Sequence, residues 1–337
     1  MNPYIIPIFI SHQGCPQKCI FCNQPNITGQ DISPITAKWV ASTIEEGLSR
    51  KRKAQRTETQ VAFYGGTFTG LDTALQEETL SVVLPFWEEK KVHSVRLSTR
   101  PDYINTEEIT LLRKYPVKTV ELGIQSMNDA VLARTQRGHT SRDNLQAVRM
   151  LKEAGFQVGA QIMIGLPGED RREILSALEP LFAHKPDFMR IYPTLVLRGT
   201  VLADLYQKGE YHPLTLQEAV EIGRDIFILG RERGITVIRM GLQANAGLEK
   251  NLMAGPYHPA FGQIVRAEVF KNDLMKKLEP LRGSDEVEIW IAPPAVSLLT
   301  GFKKRVLDDL QKKSDIRSLK VLTDQSLGQG DFRVTRG

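Results

Sequence analysis

Apolar and polar positions alternate along this chain with two different periods. Short apolar, β-rich runs at Ile5–Ile10, Gln60–Tyr64, Val92–Ser98, Thr119–Gly123, Gln157–Ile164 and Phe188–Tyr192 predict strands. Between them, amphipathic stretches at about 35–51, 72–90, 106–114, 141–154 and 170–184 predict helices. The clearest is 141–154, where Leu145, Val148 and Leu151 recur at helical spacing, Ser141 can cap the start and Gly155 can end it. Strand–helix alternation of this kind predicts parallel β/α units with right-handed crossovers. Six such units can curl into a partial TIM-like barrel or lie open as a doubly wound sheet; the periodicity alone allows both.

A long helix is expected at about 215–233, closed by Gly234, then a strand Ile235–Met240. Residues 243–263, rich in Gly, Asn and Pro, read as irregular loop. A helix near 264–279, a strand Glu286–Ala292, a helix Ser297–Lys313 and strands near Leu319–Thr323 and Asp331–Val334 follow. The expected division is a core over 1–235 and a small C-terminal α/β module over 236–337. No tandem repeat or low-complexity segment is seen.

The 337 residues are 41% hydrophobic and 25% charged, enough apolar material for a barrel-sized domain with or without a small partner. The net charge of +5 is compatible with an anionic partner without demanding one. No apolar run approaches a membrane span. The opening run lacks a basic n-region and is broken by Pro7, so it reads as a first strand rather than a signal peptide. A cytoplasmic location is expected, where thiols stay reduced.

Three cysteines change the picture. Cys15, Cys19 and Cys22 are the only ones, an odd set spaced C-x3-C-x2-C directly after the first strand, which makes a structural disulfide a poor reading. Loops at the carboxyl ends of strands are where β/α folds place their chemistry. Three thiolates can anchor three irons of a 4Fe-4S cubane and leave the fourth without a protein ligand, whereas electron-transfer clusters use four cysteines. The free iron could then chelate the amine and carboxylate of S-adenosylmethionine. The alternative is zinc, which wants four ligands and would have to recruit a residue such as His12.

The C-x3-C-x-aromatic-C loop, with Phe21 at the aromatic position, resembles the signature of the radical S-adenosylmethionine superfamily. Within it, AFYGGTFTGL (62–71), STRPDYI (98–104), VELGIQS (120–126), TQRGHT (135–140), IMIGLPGE (162–169) and RIYPTLVLRGT (190–200) resemble the radical domain of Elongator-type catalytic subunits, which modify tRNA uridine. The resemblance implies a 4Fe-4S cluster on the three cysteines and bound S-adenosylmethionine, cleaved reductively to a 5′-deoxyadenosyl radical. It implies a reductant such as ferredoxin or flavodoxin, and tRNA as partner.

Residue by residue, it implies that Gly65, Gly66 and Thr67 meet the methionyl ammonium. Arg137 would pair with the methionyl carboxylate, for which a guanidinium fork is suited; a solvated charge is the plainer reading. Gln125 and Gln161 would contact the ribose hydroxyls, and backbone at Gly165–Gly168 would cover the adenine. The chain also departs from the pattern. Ser98 stands where these relatives usually carry a glutamate. Asn23 and Gln24 follow Cys22 where oxygen-independent porphyrinogen dehydrogenases have another cysteine, which argues against that small-molecule alternative. The chain stops where Elongator would continue into an acetyltransferase domain, and Gly-Gln-Gly at 328–330 is too short to be a coenzyme A site. A non-enzymatic RNA-binding protein with a structural cluster is the remaining alternative.

Period two also predicts a polar lumen. Arg96 and Ser98 share a face, with Arg100 extending it; so do Glu121, Gly123 and Gln125; so do Gly159, Gln161 and Met163; and Arg190 pairs with Tyr192. A full TIM barrel fills its interior with branched apolar side chains, so a charged interior favours a partial barrel of about six units around a wet cavity. Glu121 is expected to pair with Arg96 or Arg190. His139 and His258 are candidate proton carriers, more simply structural residues. Lys271, Lys276, Lys277, Lys303, Lys304, Arg305, Lys312 and Lys313 form basic clusters that can bind RNA phosphates or be a solvated face.

Overall fold

The computed structural model describes residues 3–16, 19–28, 34–51, 58–300, 305–328 and 330–336. Its main sheet contains seven strands, all paired in parallel: β1 (Tyr4–Phe9), β2 (Thr59–Tyr64), β3 (Ser94–Thr99), β4 (Val117–Gln125), β5 (Gln157–Ile164), β6 (Phe188–Pro193) and β8 (Thr236–Met240), in that order. Among the described residues β1 and β8 are the two edges of this sheet, which forms a curled half-barrel. The expected partial barrel is therefore present with one more strand than the six units read from the pattern. The strand at 236–240, placed in the C-terminal module on sequence, pairs with β6 instead. Its apolar run fits either location, and only the long-range pairing decides. A short antiparallel pair joins β7 (Val196–Leu197) to β9 (Leu252–Ala254), the latter inside the segment 243–263 read as loop.

The helices follow their capping chemistry. Thr140, not Ser141, caps the helix Ser141–Glu153, because Thr140 and Asp143 form a reciprocal capping box. Thr215 and Glu218 do the same for Leu216–Glu232. The helix expected over 72–90 is two, Thr73–Ser81 and Leu84–Glu88. Pro85 at the start of the second has no N–H to continue the first. Asn245 caps a helix at Ala246–Asn251 inside the presumed loop by accepting from the Leu248 N–H.

The chain divides into two compact units, Met1–Ala219 with Leu229–Pro259, and Val220–Ile228 with Ala260–Gly337. In the second, β10 (Glu286–Ile291) pairs parallel with β11 (Ser318–Thr323) and antiparallel with β12 (Phe332–Arg336). Val287, Ile289 and Ile291 point into a core with Phe270, Leu274 and Leu278 of the helix Phe261–Leu278. The helix expected over 297–313 appears as Val296–Thr300 and Arg305–Ser314. Lys303 and Lys304, the Arg305 side chain, and Gln17, Lys18 and Gln329 lie outside the described residues.

Candidate functional site

The cysteine loop is fastened to the turn after β2 by backbone. Thr67 N–H donates to the Gln13 carbonyl at 2.9 Å and His12 N–H to the Gly65 carbonyl at 2.9 Å. A Cβ on Gly66 would lie 2.5 Å from the Gln13 and Ile10 carbonyl oxygens, and one on Gly14, at φ +70, would lie 2.1 Å from the Thr67 carbonyl oxygen. The Gly-Gly pair is thus needed for the loop to dock as well as to leave backbone bare. Ile20 anchors the other side, buried with Val196, Leu202, Ala203 and Tyr211, and Phe21 packs against that group.

Each thiol has a polar neighbour. Cys15 Sγ lies 3.3 Å from Thr67 Oγ1, Cys19 Sγ accepts from Arg137 Nη1 at 3.3 Å, and Cys22 Sγ accepts from Gln24 Nε2 at 3.5 Å. Donors to sulfur are among the groups that tune the potential of an iron–sulfur site. Burial, then the Cys19 charge, pushes the Cys22 thiol up to about 12. All three thiols line one cavity of about 680 Å³. Among the described residues no group of three or more His, Cys, Asp or Glu could hold a metal ion as it stands. A single tetrahedral ion needs its donors about one point. A cubane takes one thiolate at each of three irons, and three thiols facing one space, each with a polar neighbour, fit that demand. His12 does not offer itself as a fourth ligand: its Nε2 accepts from the Gln24 N–H at 3.0 Å. Asn23 is likewise occupied, its Oδ1 accepting from the Asn26 N–H and its Nδ2 donating to the Arg198 carbonyl.

The same cavity is lined by Gly65, Gly66, Thr67, Ser98, Gln125, Arg137 and Gln161, which therefore face one space with the cysteines. Arg137 is buried, at 8% exposure, which removes the reading as a solvated charge. Its Nη2 donates to the Gly123 carbonyl at 2.7 Å, and among the described residues its buried Nε has no hydrogen-bond partner. A Cβ on Gly123 would stand 2.6 Å from Nη2 and push the guanidinium tip aside. Gln125 adopts φ +65 where the β4–β5 register slips, a strained conformation that turns its side chain out of the strand pattern. The Gly165–Gly168 turn is not part of the lining. It is held from both sides: Glu169 accepts from the Gly165 and Leu166 N–H groups at 2.6 and 3.3 Å, and Tyr211 Oη donates to the Gly165 carbonyl at 2.6 Å. Burial pushes the Glu169 carboxyl up to about 7.

Beneath the cofactor residues lies an ion-pair network. Glu121, fully buried, accepts from Arg96 Nη1 at 2.7 Å, Arg190 Nη2 at 2.9 Å, Gln161 Nε2 at 3.1 Å and Tyr64 Oη at 3.2 Å. The expected pairing with Arg96 or Arg190 is made with both. Gln161 also reaches Ser98 Oγ, at 3.4 Å, so the serine joins the network that supports the cavity floor. Tyr64 and Arg239 also line the cavity and were not singled out on sequence. Tyr64 ends β2 beside the conspicuous glycines, and Arg239 lay in the segment assigned elsewhere. His139 is buried behind the site, against the Ile124 carbonyl and 3.7 Å from Asp102. Burial and the Arg137 charge lower its pKa to about 4, which favours the neutral imidazole at pH 7. Lys276, Lys277, Lys312 and Lys313 are exposed in the last turns of their helices, where the dipole favours cations.

The radical SAM superfamily model matches residues 9–181, just over half of the chain, and the radical SAM C-terminal domain model matches 186–271. The chain belongs to the radical SAM superfamily. Membership implies a 4Fe-4S cluster and S-adenosylmethionine, which the cysteines and the cavity fit. The chain is 28% identical over 257 residues to the tRNA uridine(34) acetyltransferase of Methanocaldococcus jannaschii, covering 65% of this chain and 47% of that one. It is 32% identical over 142 residues to human Elongator complex protein 3, covering 41% and 26%. It spans about half the length of the first of these relatives, or less. Its fold matches archaeal Methanocaldococcus infernus Elp3 with a TM-score of 0.61 at 22% identity, covering 81% of this chain and 64% of that one. Coproporphyrinogen III oxidase from Escherichia coli matches at 0.50 with 16% identity, covering 69% and 53%. Among the described residues no helix is long and apolar enough to cross a membrane.

Replacing Arg137 with alanine is expected to weaken S-adenosylmethionine binding by about 1.5–3 kcal/mol, the usual worth of a hydrogen bond to a charged group. Calorimetry on the anaerobically reconstituted protein measures it; unchanged affinity would leave Arg137 a purely structural clamp between Cys19 and Gly123.

Proposed function

We propose that this protein is a radical S-adenosylmethionine enzyme acting on a tRNA nucleotide. The carrying observation is the single cavity that holds Cys15, Cys19 and Cys22 together with Gly65, Gly66, Thr67, Ser98, Gln125, Arg137 and Gln161. When bound, the cluster and S-adenosylmethionine would supply reductive carbon–sulfur cleavage to a 5′-deoxyadenosyl radical.

The protein's part is to bind, orient and shield. The buried Nε of Arg137 has no hydrogen-bond partner among the described residues, which suits it to the methionyl carboxylate. The bare backbone of Gly65 and Gly66 offers carbonyls to the ammonium. Gln125 and Gln161 offer amides to the ribose. Beneath them the hydrogen-bonded network at Glu121 holds Gln161, and through it Ser98, in place. Anaerobic iron–sulfide reconstitution followed by an assay for 5′-deoxyadenosine tests the activity. A reconstituted protein with full iron content and no 5′-deoxyadenosine would reject it.

The nucleotide part rests on similarity to tRNA uridine(34) acetyltransferases, the lysine–arginine clusters beyond residue 270, and a cavity lining rich in arginine. Phosphate contacts release counterions, so tRNA affinity should fall linearly with salt on a log–log plot. Neutralising Lys303, Lys304 and Arg305 together should make that slope shallower. Filter binding at several salt concentrations measures both, and absence of tRNA retention at low salt would remove tRNA while leaving the radical chemistry standing.

A further inference from the structure

The cavity has a charge imbalance that the cofactor does not use up. Arg100, Arg137, Arg190 and Arg239 line it, and among the described residues no aspartate or glutamate does. Two of the four are matched from behind. Arg100 pairs with Asp102 at 2.7 Å, and Arg190 shares Glu121 with Arg96. Arg137 is the guanidinium for the methionyl carboxylate. Arg239 remains. Its Nε donates to the Gly241 carbonyl at 3.3 Å, and among the described residues it meets no carboxylate.

Its position sharpens the point. Arg239 on β8 and Arg190 on β6 are register partners in a parallel pair, so the two side chains leave the sheet side by side on the same face. Like charges at that spacing oppose one another. Glu121 already serves two guanidiniums and cannot neutralise a third. Arg190 is fixed by Glu121, Tyr64 and Tyr192, so its place is settled before any ligand enters. A half-buried guanidinium beside a fixed one, in a cavity without acids, is a preorganised anion receptor.

We propose that Arg239, with Arg190 beside it, is the subsite that anchors a phosphate of the substrate. This rests on the nucleotide reading above and adds to it the residue that holds the nucleotide. Two adjacent forks suit a tetrahedral group with several charged oxygens, which can accept from both at once.

The test is equilibrium titration of the full chain, reconstituted and loaded with S-adenosylmethionine, with three probes: uridine, uridine 5′-monophosphate and uridine-5′-carboxylate. Wild-type protein should bind the monophosphate more tightly than uridine, on the order of tenfold to a hundredfold, and more tightly than the carboxylate. Arg239→Met should erase most of that preference while unfolding at the wild-type urea midpoint. Arg239→Lys keeps the charge and loses the fork; it should fall between, and it carries the test if the methionine variant does not fold. Equal binding of uridine and its monophosphate by wild type, preference for the carboxylate, or a phosphate preference that survives in both variants would overturn the proposal. Failure of the tRNA reading looks different: wild type retains the mononucleotide preference but no tRNA on filters.

Discussion

A Cys19→Ala protein should lose reductive cleavage of S-adenosylmethionine entirely and should not retain a stable cubane after anaerobic reconstitution. Three thiolates are the minimum that hold three irons, and removal of one leaves two irons without protein ligands. Cys19 is the most telling of the three because it is buried and accepts from Arg137, so its loss also frees a guanidinium from its partner. Cys15→Ala and Cys22→Ala should fail in the same way. His12→Ala separates the cluster from a zinc site. A zinc site would need a fourth donor such as His12. In the structure His12 instead accepts from the Gln24 N–H, where its loss should cost about 1 kcal/mol of local stability, as for a lost helix cap, and spare iron binding. Iron and sulfide analysis with chromatography of 5′-deoxyadenosine measures both. A Cys19→Ala protein with wild-type iron and full cleavage would end the assignment, and His12→Ala without bound iron would reopen zinc.

The cysteine loop and the strand ends were legible because their signals are local. Spacing of three thiols, a glycine pair after a strand, and the alternation that puts Arg96, Glu121 and Arg190 each on the cavity-side face of its own strand all fall within short windows. What stayed hidden depends on pairing at a distance. Thr236–Met240 reads as a strand on its own residues, but nothing local says that it extends the main sheet by pairing with β6. Arg239 was therefore invisible as a cavity residue, although the period-two rule that grouped Arg190 with Tyr192 would have placed it once the pairing was known. Tyr64 was missed for another reason: it sits at the last position of β2, where the glycines after it carry the stronger signal. The helix cap at Thr140 instead of Ser141 shows the usual one-residue latitude of a boundary between two hydroxyl residues.

Glu121→Gln should destabilise the first unit by about 3–5 kcal/mol, the cost of removing one partner from a buried ion pair. The amide is nearly isosteric, so no cavity is made and the effect isolates charge. With the carboxylate gone, Arg96 and Arg190 would lie under the cavity with no anion between them, and an amide N–H2 in place of one oxygen would face donors that oxygen now accepts from, Gln161 Nε2 among them. Arg96→Leu is the informative contrast. It removes a cation from a network that holds two arginines per glutamate and leaves Glu121 with Arg190 as a balanced pair. It should cost less than Glu121→Gln even though it forfeits the bond to Gln60 and the stacking on Phe188. A structural network with no other duty could be replaced by apolar residues at little cost. A network kept for a polar cavity instead leaves its surplus positive charge facing the lumen, where Arg190 and Arg239 stand in register. Urea unfolding followed by circular dichroism gives the ranking. If Glu121→Gln unfolds at the wild-type midpoint, or Arg96→Leu proves the costlier change, then the guanidiniums reach water more freely than the buried network implies, and the argument that they need an anion from the substrate weakens with it.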